Sequence, residues 1–555
     1  MNGLNRYSWL ALLLAVFSGC ASDAELSDPR LARALAQISP GPIEAQMRVL
    51  AADDMQGRGT GTVGYLRAAD YLAAQFEAIG FAPAGDGESF FQSVPLRSAY
   101  LNSDAISIAL VTDGKSVPLV LERDLLVQAD FERERAELTA PLAFVGFGVV
   151  AADQDYNDYA DLDVTGKVVV MFRGAPKFFP GDERALYASS SLKLRAAIER
   201  GAVGVLEAQL PDDRRRRPWD RVVRHSKMPA MRWVESEGKI HEGFPELFVR
   251  GQLGSAGERT LFEAGPVALD EVIAAAEAGR SEPFDLASRI AVSTSSRQVS
   301  GESPNVIGLL RGSDPRLADE TVVLTAHLDH VGVGDPVDSD GIHNGAYDNA
   351  SGISMLLAIG GALADLDPAP RRSIMLLAVT GEEKGLLGSE YFTHHPTVPL
   401  ASIVANINLD MVLMFHPLVD LVAFGAGHSS LGSPLARSAA HLGVELSSDP
   451  IPERVFFIRS DQFSFVKQGV PSVFTVSGFA TPDSAVDGKA QFDEWMGTIY
   501  HSPGDDMSQS FDFEAGALFA RVNFLTTYLV ANDDARPTWN PGDFFGRRFS
   551  RGASE

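Results

Sequence analysis

Histidines and carboxylates are concentrated in one stretch of the chain, residues 325–352, TAHLDHVGVGDPVDSDGIHNGAYDNASG. This stretch holds His327, Asp329, His330, His343 and Asp348, and it follows an apolar run that predicts a buried strand. Zn²⁺ binds imidazole nitrogens and carboxylate oxygens, and a catalytic zinc site keeps one position open for water. The stretch therefore predicts part of a metal site, whose remaining ligands must come from elsewhere in the chain.

Further acidic and imidazole side chains follow other apolar runs. They are Glu382 and Glu383 after IMLLAVTG, Asp410 at the end of IVANINLD, and His501 in IYHSPGDD. In open α/β sheets, ligands bind beyond the carboxyl ends of the strands. Because each of these residues is predicted at such an end, we expect them to meet at one edge of a sheet.

Each residue also has an ordinary structural interpretation. Asp348 would cap the following helix, and adjacent glutamates at a helix N-terminus complement the helix dipole. The combination nevertheless favours a metal site, because every residue falls at a strand end. Charge indicates two ions: a carboxylate can bridge metals about 3.5–4 Å apart. Three ligand carboxylates and one hydroxide would balance two Zn²⁺.

The elements that must position these residues alternate between strands and helices. Apolar runs predict strands at residues 321–326, 373–379, 403–409 and 471–476, and residues 353–363 predict a helix. This alternation predicts an α/β fold with a mixed, mainly parallel sheet flanked by helices. Upstream, residues 42–80 predict a helix, a glycine-rich loop and a second helix.

The length of 555 residues predicts about two to four domains. The sequence becomes rich in strand-like patterns between residues 136 and 262, which predicts an inserted module. The main domain would then comprise residues 42–135 and 265–532. Residues 21–41 are interpreted as a polar tether, and residues 533–555 as a C-terminal tail.

The composition excludes one class of partner and indicates an export route. A formal net charge of −26 argues against nucleic-acid binding, which needs a basic face. Residues 1–20 resemble a bacterial lipoprotein signal peptide, with Arg6, an apolar core and the sequence FSGC. Cys20, the only cysteine, would be lipidated, which predicts a protein anchored in the bacterial cell envelope. The alternative is a cleaved signal and a secreted or soluble periplasmic protein.

The motifs AHLDH, GAYDNASG, GEEKGLLGS, NLD, RSDQF and YHSPGDD together resemble those of the M28 family of zinc aminopeptidases. The resemblance covers about residues 42–135 and 265–530, and it implies a zinc-peptidase fold of the phosphorylase/hydrolase-like type. Family members often carry an inserted protease-associated (PA) domain. The segments GFG, GKVVVMFRG and KLRAAIERGAVGVL between residues 136 and 262 resemble one.

The resemblance also implies two Zn²⁺ ions and a ligand role for each matching residue. His327 and Asp410 would bind one zinc, Glu383 and His501 would bind the other, and Asp348 would bridge them. His330, His343 and His428 have no ligand role in this pattern.

Four further roles follow from the same resemblance. Glu382 would be the general base, and the Asp329 carboxylate would orient His327. Tyr500 would stabilise the oxyanion. Arg459 would contact the substrate, unless it forms a structural ion pair.

These assignments predict a co-catalytic dizinc metallopeptidase that hydrolyses peptide bonds. The preferred interpretation is an aminopeptidase that releases N-terminal residues through a metal-bridging hydroxide. A dizinc carboxypeptidase or dipeptidase is the first alternative, and a non-catalytic receptor-like scaffold is the second. The predicted partners are peptide substrates and, through Cys20, a membrane; the sequence does not indicate an oligomeric state.

Overall fold

The computed structural model describes residues 25–263 and 265–550. The predicted signal peptide and Cys20 lie outside these residues. Within the described ranges, no helix is both long and apolar enough to cross a membrane.

The strands are numbered in chain order. They are β1 Ala82–Pro83, β2 Phe91–Leu101, β3 Ser107–Thr112, β4 Lys115–Pro118, β5 Leu125–Val127, β6 Arg135–Phe144, β7 Val150–Ala151, β8 Tyr156–Asn157, β9 Val168–Phe172, β10 Gly204–Ala208, β11 Ala230–Trp233, β12 Val249–Leu253, β13 Phe284–Leu310, β14 Thr321–His327, β15 Gly332–Val337, β16 Asp340–His343, β17 Ser373–Val379, β18 Ile403–Leu409, β19 Asp420–Phe424, β20 Glu445–Ser447 and β21 Ser472–Ser477.

The α-helices are identified by their bounds. They are Pro29–Gln37, Pro40–Leu50, Val63–Ala78, Gly181–Tyr187, Ser190–Ile198, Pro211–Arg216, Trp219–Ser226, Ser255–Phe262, Leu269–Glu277, Ser351–Ala364, Leu387–His394, Gly432–His441, Gln462–Val466, Gly488–Thr498, Phe513–Asn532 and Phe544–Phe549.

A mainly parallel central sheet confirms the predicted fold class. β14 lies between β17 and β18 and is parallel to both, and β18 is parallel to β21. β13 adds an antiparallel strand beside β17, and β19 adds another beside β21. Every residue of β14, β17 and β18 is buried, as expected for parallel strands covered by helices on both faces.

Helices cover both faces of this sheet. On one face, alternate residues of β14 and β17 pack with helices Pro40–Leu50, Ser351–Ala364 and Phe513–Asn532. On the other face, the remaining residues of the same strands pack with Phe392 and Phe465. The two clusters fix the central strands, and with them the position of the residues at the strand ends.

A second sheet is larger than the insertion predicted at residues 136–262. It contains β3, β4, β5, β6, β9, β10, β12 and the first half of β13, and we call residues 107–295 the second-sheet region. β13 is 27 residues long and also pairs with β2 and β17, so one strand joins both sheets. Local patterns indicated a β-rich segment here but not all of its strands, nor which of them would pair.

The segment predicted as a C-terminal tail packs against the rest of the protein. Residues 533–550 end in helix Phe544–Phe549, and Phe545 is fully buried. The Phe545 ring contacts the rings of Phe457 and Phe463. These aromatic contacts hold the described part of the segment in place.

Candidate metal centre

The carboxyl-end edge of the central sheet brings the predicted site residues together. His327 is the last residue of β14, Asp410 follows β18 directly, and Glu382 and Glu383 lie in the turn after β17. Asp348 lies in the irregular turn before helix Ser351–Ala364. Because β14, β17 and β18 are parallel and adjacent, these ends meet at one place.

Asp348 faces two histidines with its two oxygens. Its Oδ1 is 3.2 Å from Nε2 of His327, and its Oδ2 is 3.1 Å from Nε2 of His501. Nε2 of His327 is also 3.1 Å from Oδ1 of Asp410. Two donor groups result, each with its ligand atoms within 4.8 Å of one another: His327, Asp348 and Asp410, and His330, Asp348, Glu383 and His501.

The second donor group fits a bound cation. Glu383 lies 3.0 Å from Nε2 of His501 and 2.8 Å from Nδ1 of His330. Even so, Nε2 of His501, Oε1 of Glu383 and both ring nitrogens of His330 are buried without a well-formed hydrogen bond. Buried polar atoms are normally hydrogen-bonded. Donors that converge without satisfying one another match the nitrogen and oxygen ligands that Zn²⁺ accepts.

Electrostatics favour the ionised forms of two donor carboxylates, Asp348 and Glu383. Burial raises the pKa of Asp348, but the neighbouring imidazoles of His327 and His501 outweigh it and bring that pKa to about 2. The pKa of Glu383 is held well below its usual range, because His501 and His330 outweigh the effect of burial. Ionised carboxylates are the form that binds a metal.

Glu382 differs from Glu383 in its position relative to the donor groups and in the direction of its pKa shift. It lies in neither donor group but lines the cavity beside His327, Asp348 and Asp410. Burial raises the pKa of Glu382 well above its usual range, and the negative charge of Asp410 adds to the effect. A carboxyl group that binds no metal and holds a proton readily is suited to general acid–base chemistry.

The Asp329 oxygen nearest to the His327 ring belongs to the backbone and not to the carboxylate, so the orienting role of the carboxylate stays a prediction. Nδ1 of His327 bonds to the backbone carbonyl of Asp329 at 3.0 Å, while the carboxylate Oδ1 is 4.0 Å away. The Asp329 carboxylate instead accepts the backbone N–H of Glu382 at 3.0 Å and the Thr60 hydroxyl at 3.0 Å. The turn after β17 brings Glu382 to Asp329, and the glycine-rich loop brings Thr60 there, which sequence spacing could not show.

Two functional candidates were missed by the sequence interpretation. His330 was given no ligand role, yet its fully buried ring belongs to the second donor group. Asp505 is fully buried and accepts the backbone N–H groups of Tyr347 at 2.9 Å and Asp348 at 3.1 Å. Both residues lie inside the quoted motifs, AHLDH and YHSPGDD, and that position was the available signal.

Arg58, in the glycine-rich loop, holds the 325–352 stretch in shape. Its buried guanidinium donates to the backbone carbonyls of Leu328, Asn344 and Gly345 at 2.9, 2.6 and 2.8 Å. These carbonyls lie on both sides of the β15–β16 hairpin, which Arg58 therefore ties at its base.

A cavity whose lining includes His327, Asp348, Glu382 and Asp410 opens from the metal centre. Its far wall is apolar and includes Val422, Phe424, Ile451, Phe474, Val476, Phe479 and Phe492. Tyr500 and Arg459 line its polar end. The Tyr500 ring stacks on His501 at 3.7 Å, and burial raises the pKa of its phenol well above the usual range. Tyr500 therefore remains a hydrogen-bond donor.

Among the side chains that the structure describes, Arg459 shows no ion pair, which was the alternative prediction for this residue. Among the described residues, no carboxylate oxygen lies within 4.0 Å of its guanidinium. The guanidinium lies 5.6 Å from the centre of the Phe456 ring and donates to the carbonyl of Arg454 at 3.4 Å. Arg459 also lines the cavity.

His428 lies away from the centre. Its Nε2 is 2.8 Å from Asp182 and its Nδ1 is 2.6 Å from Asp543. These contacts join the second-sheet region to the C-terminal segment. They give His428 a structural role that needs no metal.

Comparisons with known proteins agree with this geometry. Residues 305–523 match the model of "Peptidase family M28". A "probable leucine aminopeptidase 2" of Aspergillus oryzae is 27% identical over 251 residues, 43% of this chain and 47% of the relative. A "Probable zinc metalloprotease" of Pyrenophora teres f. teres is 34% identical over 252 residues, 42% of this chain and 50% of the relative. The chain thus spans about half the length of these relatives.

One solved structure shares the overall fold. An aminopeptidase from Aneurinibacillus sp. strain AM-1 aligns with a TM-score of 0.54 at 16% identity. The alignment covers 91% of this chain and 97% of that chain. The likeness therefore extends over both sheets.

Proposed function

From the match of residues 305–523 to the model of "Peptidase family M28", we propose that the protein is a dizinc aminopeptidase. The observation that carries the proposal is the pair of donor groups that share Asp348, with Glu382 beside them and outside both. A co-catalytic pair of ions and a free carboxylate base are the parts that peptide hydrolysis needs.

Two sets of residues would hold the ions. His327 and Asp410 would bind one zinc, Glu383 and His501 the other, with His330 beside the second and Asp348 between the two. When bound, the ions would polarise the peptide carbonyl and make the attacking water more acidic.

The remaining steps fall to the side chains of this protein. Glu382 takes the proton of the attacking water and delivers it to the amine that leaves. Asp329 holds the backbone at Glu382, so that the base keeps its position relative to the metal ligands. Tyr500 donates a hydrogen bond to the oxygen that becomes negative as the carbonyl is attacked.

The cavity supports release of a bulky apolar N-terminal residue. Its wall is lined with aromatic and aliphatic side chains, while Glu382 and Asp410 lie at the polar end. A side chain placed in the apolar part would leave the substrate ammonium group near these carboxylates. A blocked N-terminus would lose that interaction.

A carboxypeptidase remains the second candidate, because the positively charged side chain of Arg459 lines the same cavity. The two candidates can be distinguished with zinc-loaded protein. An aminopeptidase should hydrolyse leucyl-p-nitroanilide and should not cleave an N-acetylated leucyl peptide. Cleavage of the acetylated peptide would instead favour the carboxypeptidase. Binding of fewer than about two zinc ions per chain would contradict the dizinc site and favour the receptor-like scaffold.

The cellular location is a separate proposal. The sequence FSGC supports lipidation of Cys20 and anchoring in a bacterial cell envelope. Radiolabelled palmitate should enter the wild-type chain but not Cys20→Ser, and the variant should move to the soluble fraction. Equal labelling of both would contradict the anchor.

The second-sheet region is proposed to correspond to a PA domain. Support comes from its β-rich composition and from the motifs between residues 136 and 262. Its role can be tested by comparing peptide and protein substrates, because a domain beside the centre restricts access to large substrates first.

A further inference from the structure

Three arginines, Arg97, Arg232 and Arg250, lie together where the two sheets meet, and we call them the arginine cluster. Arg97 of β2 and Arg232 of β11 are direct partners in the antiparallel pairing of these strands. Side chains opposite each other in such a pair share one face, with Cβ atoms about 4.5–5.5 Å apart. The guanidinium of Arg232 lies 5.4 Å from the centre of the Phe131 ring, and that of Arg250, from β12, lies 5.8 Å from the same centre. Phe131 is therefore a common neighbour of the strand pair and of Arg250.

The alternation of side chains along β2 and β11 supports this placement. Ala99 follows Arg97 by two residues, and Ala230 precedes Arg232 by two residues, so each alanine points to the same side of its strand as the arginine. Ala99 and Ala230 pack in one small apolar group with Phe131. Arg97 and Arg232 therefore project from the face of the strand pair that Phe131 covers.

The arginines of the cluster lack a counter-charge. Among the side chains that the structure describes, none of the three shows an ion pair. Arg232 donates from Nη1 to the carbonyl of Met231 at 2.7 Å, but its Nε and the Nε of Arg97 are buried without a hydrogen-bond partner in the described part of the chain. Buried donors are normally hydrogen-bonded, and like charges directly opposite each other destabilise a strand pair. An anion at this place would remove both costs.

Arg250 lines a small cavity beside the other two arginines. It is 8% exposed, and the walls of the cavity include Gln128, Phe244, Phe248 and Thr294. Within residues 25–263 and 265–550, its guanidinium forms no hydrogen bond. Burial lowers the pKa of Arg250 to about 10, and the positive charge of Arg232 adds to the effect. A buried cation that faces a cavity favours a ligand of opposite charge.

The acids near the cluster are paired with other cations. Asp130 lines the same cavity, but its carboxylate lies 2.7 Å from Nε of Arg133 and accepts the backbone N–H groups of Glu132 and Arg133 at 2.9 Å. Glu242, whose charge acts on Arg232, lies 3.3 Å from Arg195. The cluster therefore keeps an excess of positive charge in a chain whose net charge is −26.

We propose that the arginine cluster binds a small, doubly charged oxyanion of the size of sulfate or phosphate. A guanidinium group presents its N–H donors in a planar fork that matches two oxygens of such an ion. A small ion is favoured over a polypeptide segment because Arg250 is almost fully buried. The ion would link β2 and β11 to β12 and so join the two sheets. None of the three arginines belongs to the donor groups or lines the cavity at the metal centre, so the inference is independent of the proposed function.

Sulfate is the probe for this site. In titration calorimetry on the zinc-loaded full-length protein, at constant ionic strength with chloride as the balancing anion, sulfate should bind saturably. The melting temperature should rise with sulfate concentration, because a ligand that binds the folded state stabilises it. Arg250→Met should weaken the affinity for sulfate about tenfold or more, because it removes charge-assisted hydrogen bonds.

Arg97→Met is the second variant, and it keeps the test open if Arg250→Met unfolds. It should weaken sulfate binding in the same way. In chloride alone it should be at least as stable as the wild type, because it removes the like charge opposite Arg232. Arg297→Met is the matched control: this arginine is exposed on β13 and stacks on the Tyr100 ring at 4.3 Å. The control removes the same charge and should bind sulfate as the wild type does.

Two results would overturn the inference. One is the absence of saturable sulfate binding to the wild type. The other is an equal sulfate affinity of the wild type, Arg250→Met and Arg97→Met, which would mean that sulfate binds elsewhere, such as at the metal centre. Phosphoserine then distinguishes the sources of the oxyanion. Binding that the same two variants weaken would assign the site to a phosphate group of a larger molecule, whereas no binding of phosphoserine beside saturable binding of sulfate would assign it to the free ion.

Discussion

The Asp329 carboxylate accepts the backbone N–H of Glu382 at 3.0 Å. The acid of the AHLDH motif therefore supports the turn after β17. Asp329 is fully buried and its pKa is raised, chiefly by burial, so the hydrogen bonds to its carboxylate are important for keeping it in place.

Asp329→Asn should lower kcat while the protein still binds zinc. The amide can accept only one of the hydrogen bonds well, so the backbone at Glu382 becomes less well positioned, and we expect a loss of about 10- to 100-fold. Steady-state kinetics and metal analysis check this. Thr60→Val, which removes only one donor to the same carboxylate, should have a smaller effect; an unchanged kcat in Asp329→Asn would refute the positioning role.

Glu382→Gln should remove the general base and leave the metal ligands intact. We expect kcat to fall about 10²- to 10⁴-fold, with the zinc content of the wild type. Glu44→Gln serves as a control, because the Glu44 side chain is partly exposed, pairs with Arg48 and belongs to neither donor group. Full turnover in Glu382→Gln would rule out this residue as the base.

Asp348→Ala should bind almost no zinc, whereas His330→Ala should lose at most one of the two ions. The reason is that Asp348 belongs to both donor groups and His330 to one. Atomic emission spectroscopy of the dialysed protein gives the number of zinc ions per chain. Retention of two ions by Asp348→Ala would contradict the shared ligand.

Val476→Phe should shift substrate preference towards small N-terminal residues. Val476 lines the apolar wall, and a larger side chain there reduces the space for the released residue. The KM for leucyl-p-nitroanilide should rise about tenfold relative to alanyl-p-nitroanilide, since a change of a few methylene groups in a pocket has effects of this size. A uniform change for both substrates would mean that the cavity does not select the N-terminal residue.

His428→Gln should destabilise the protein more at pH 5.5 than at pH 9. Burial lowers the pKa of His428, but hydrogen bonds to Asp182 and Asp543 outweigh it and raise the pKa. A raised pKa in the folded state stabilises the protein below the unfolded value of about 6.5. That contribution is lost as the pH rises through the folded value.

Melting temperatures of the wild type and His428→Gln at the two pH values measure the difference. The effect should be modest, because the Asp182 side chain is 42% exposed and its interaction is screened by water. His416→Gln is the control, since the His416 ring bonds to the carbonyl of its neighbour Pro417. An equal shift at both pH values would exclude a role for the charge of His428.

The sequence by itself determined the strands of the central sheet and the chemistry at their ends. The predicted bounds 373–379 and 403–409 coincide with β17 and β18. Long apolar runs between polar turns are local patterns, and strand order in an α/β sheet follows from a small set of connections. For the same reason, Asp348, Glu383, Asp410 and His501 could be named before the structure was known.

Only the tertiary structure decided what surrounds those residues. Three features depend on how distant segments pack. They are the hydrogen-bond partners of the Asp329 carboxylate, the position of His330 in the second donor group, and the extent of the second sheet. Arg221 and Met496 are 275 residues apart in the chain, yet they are in contact. Such contacts depend on the path of β13 through both sheets and on side-chain packing, which local sequence patterns do not contain.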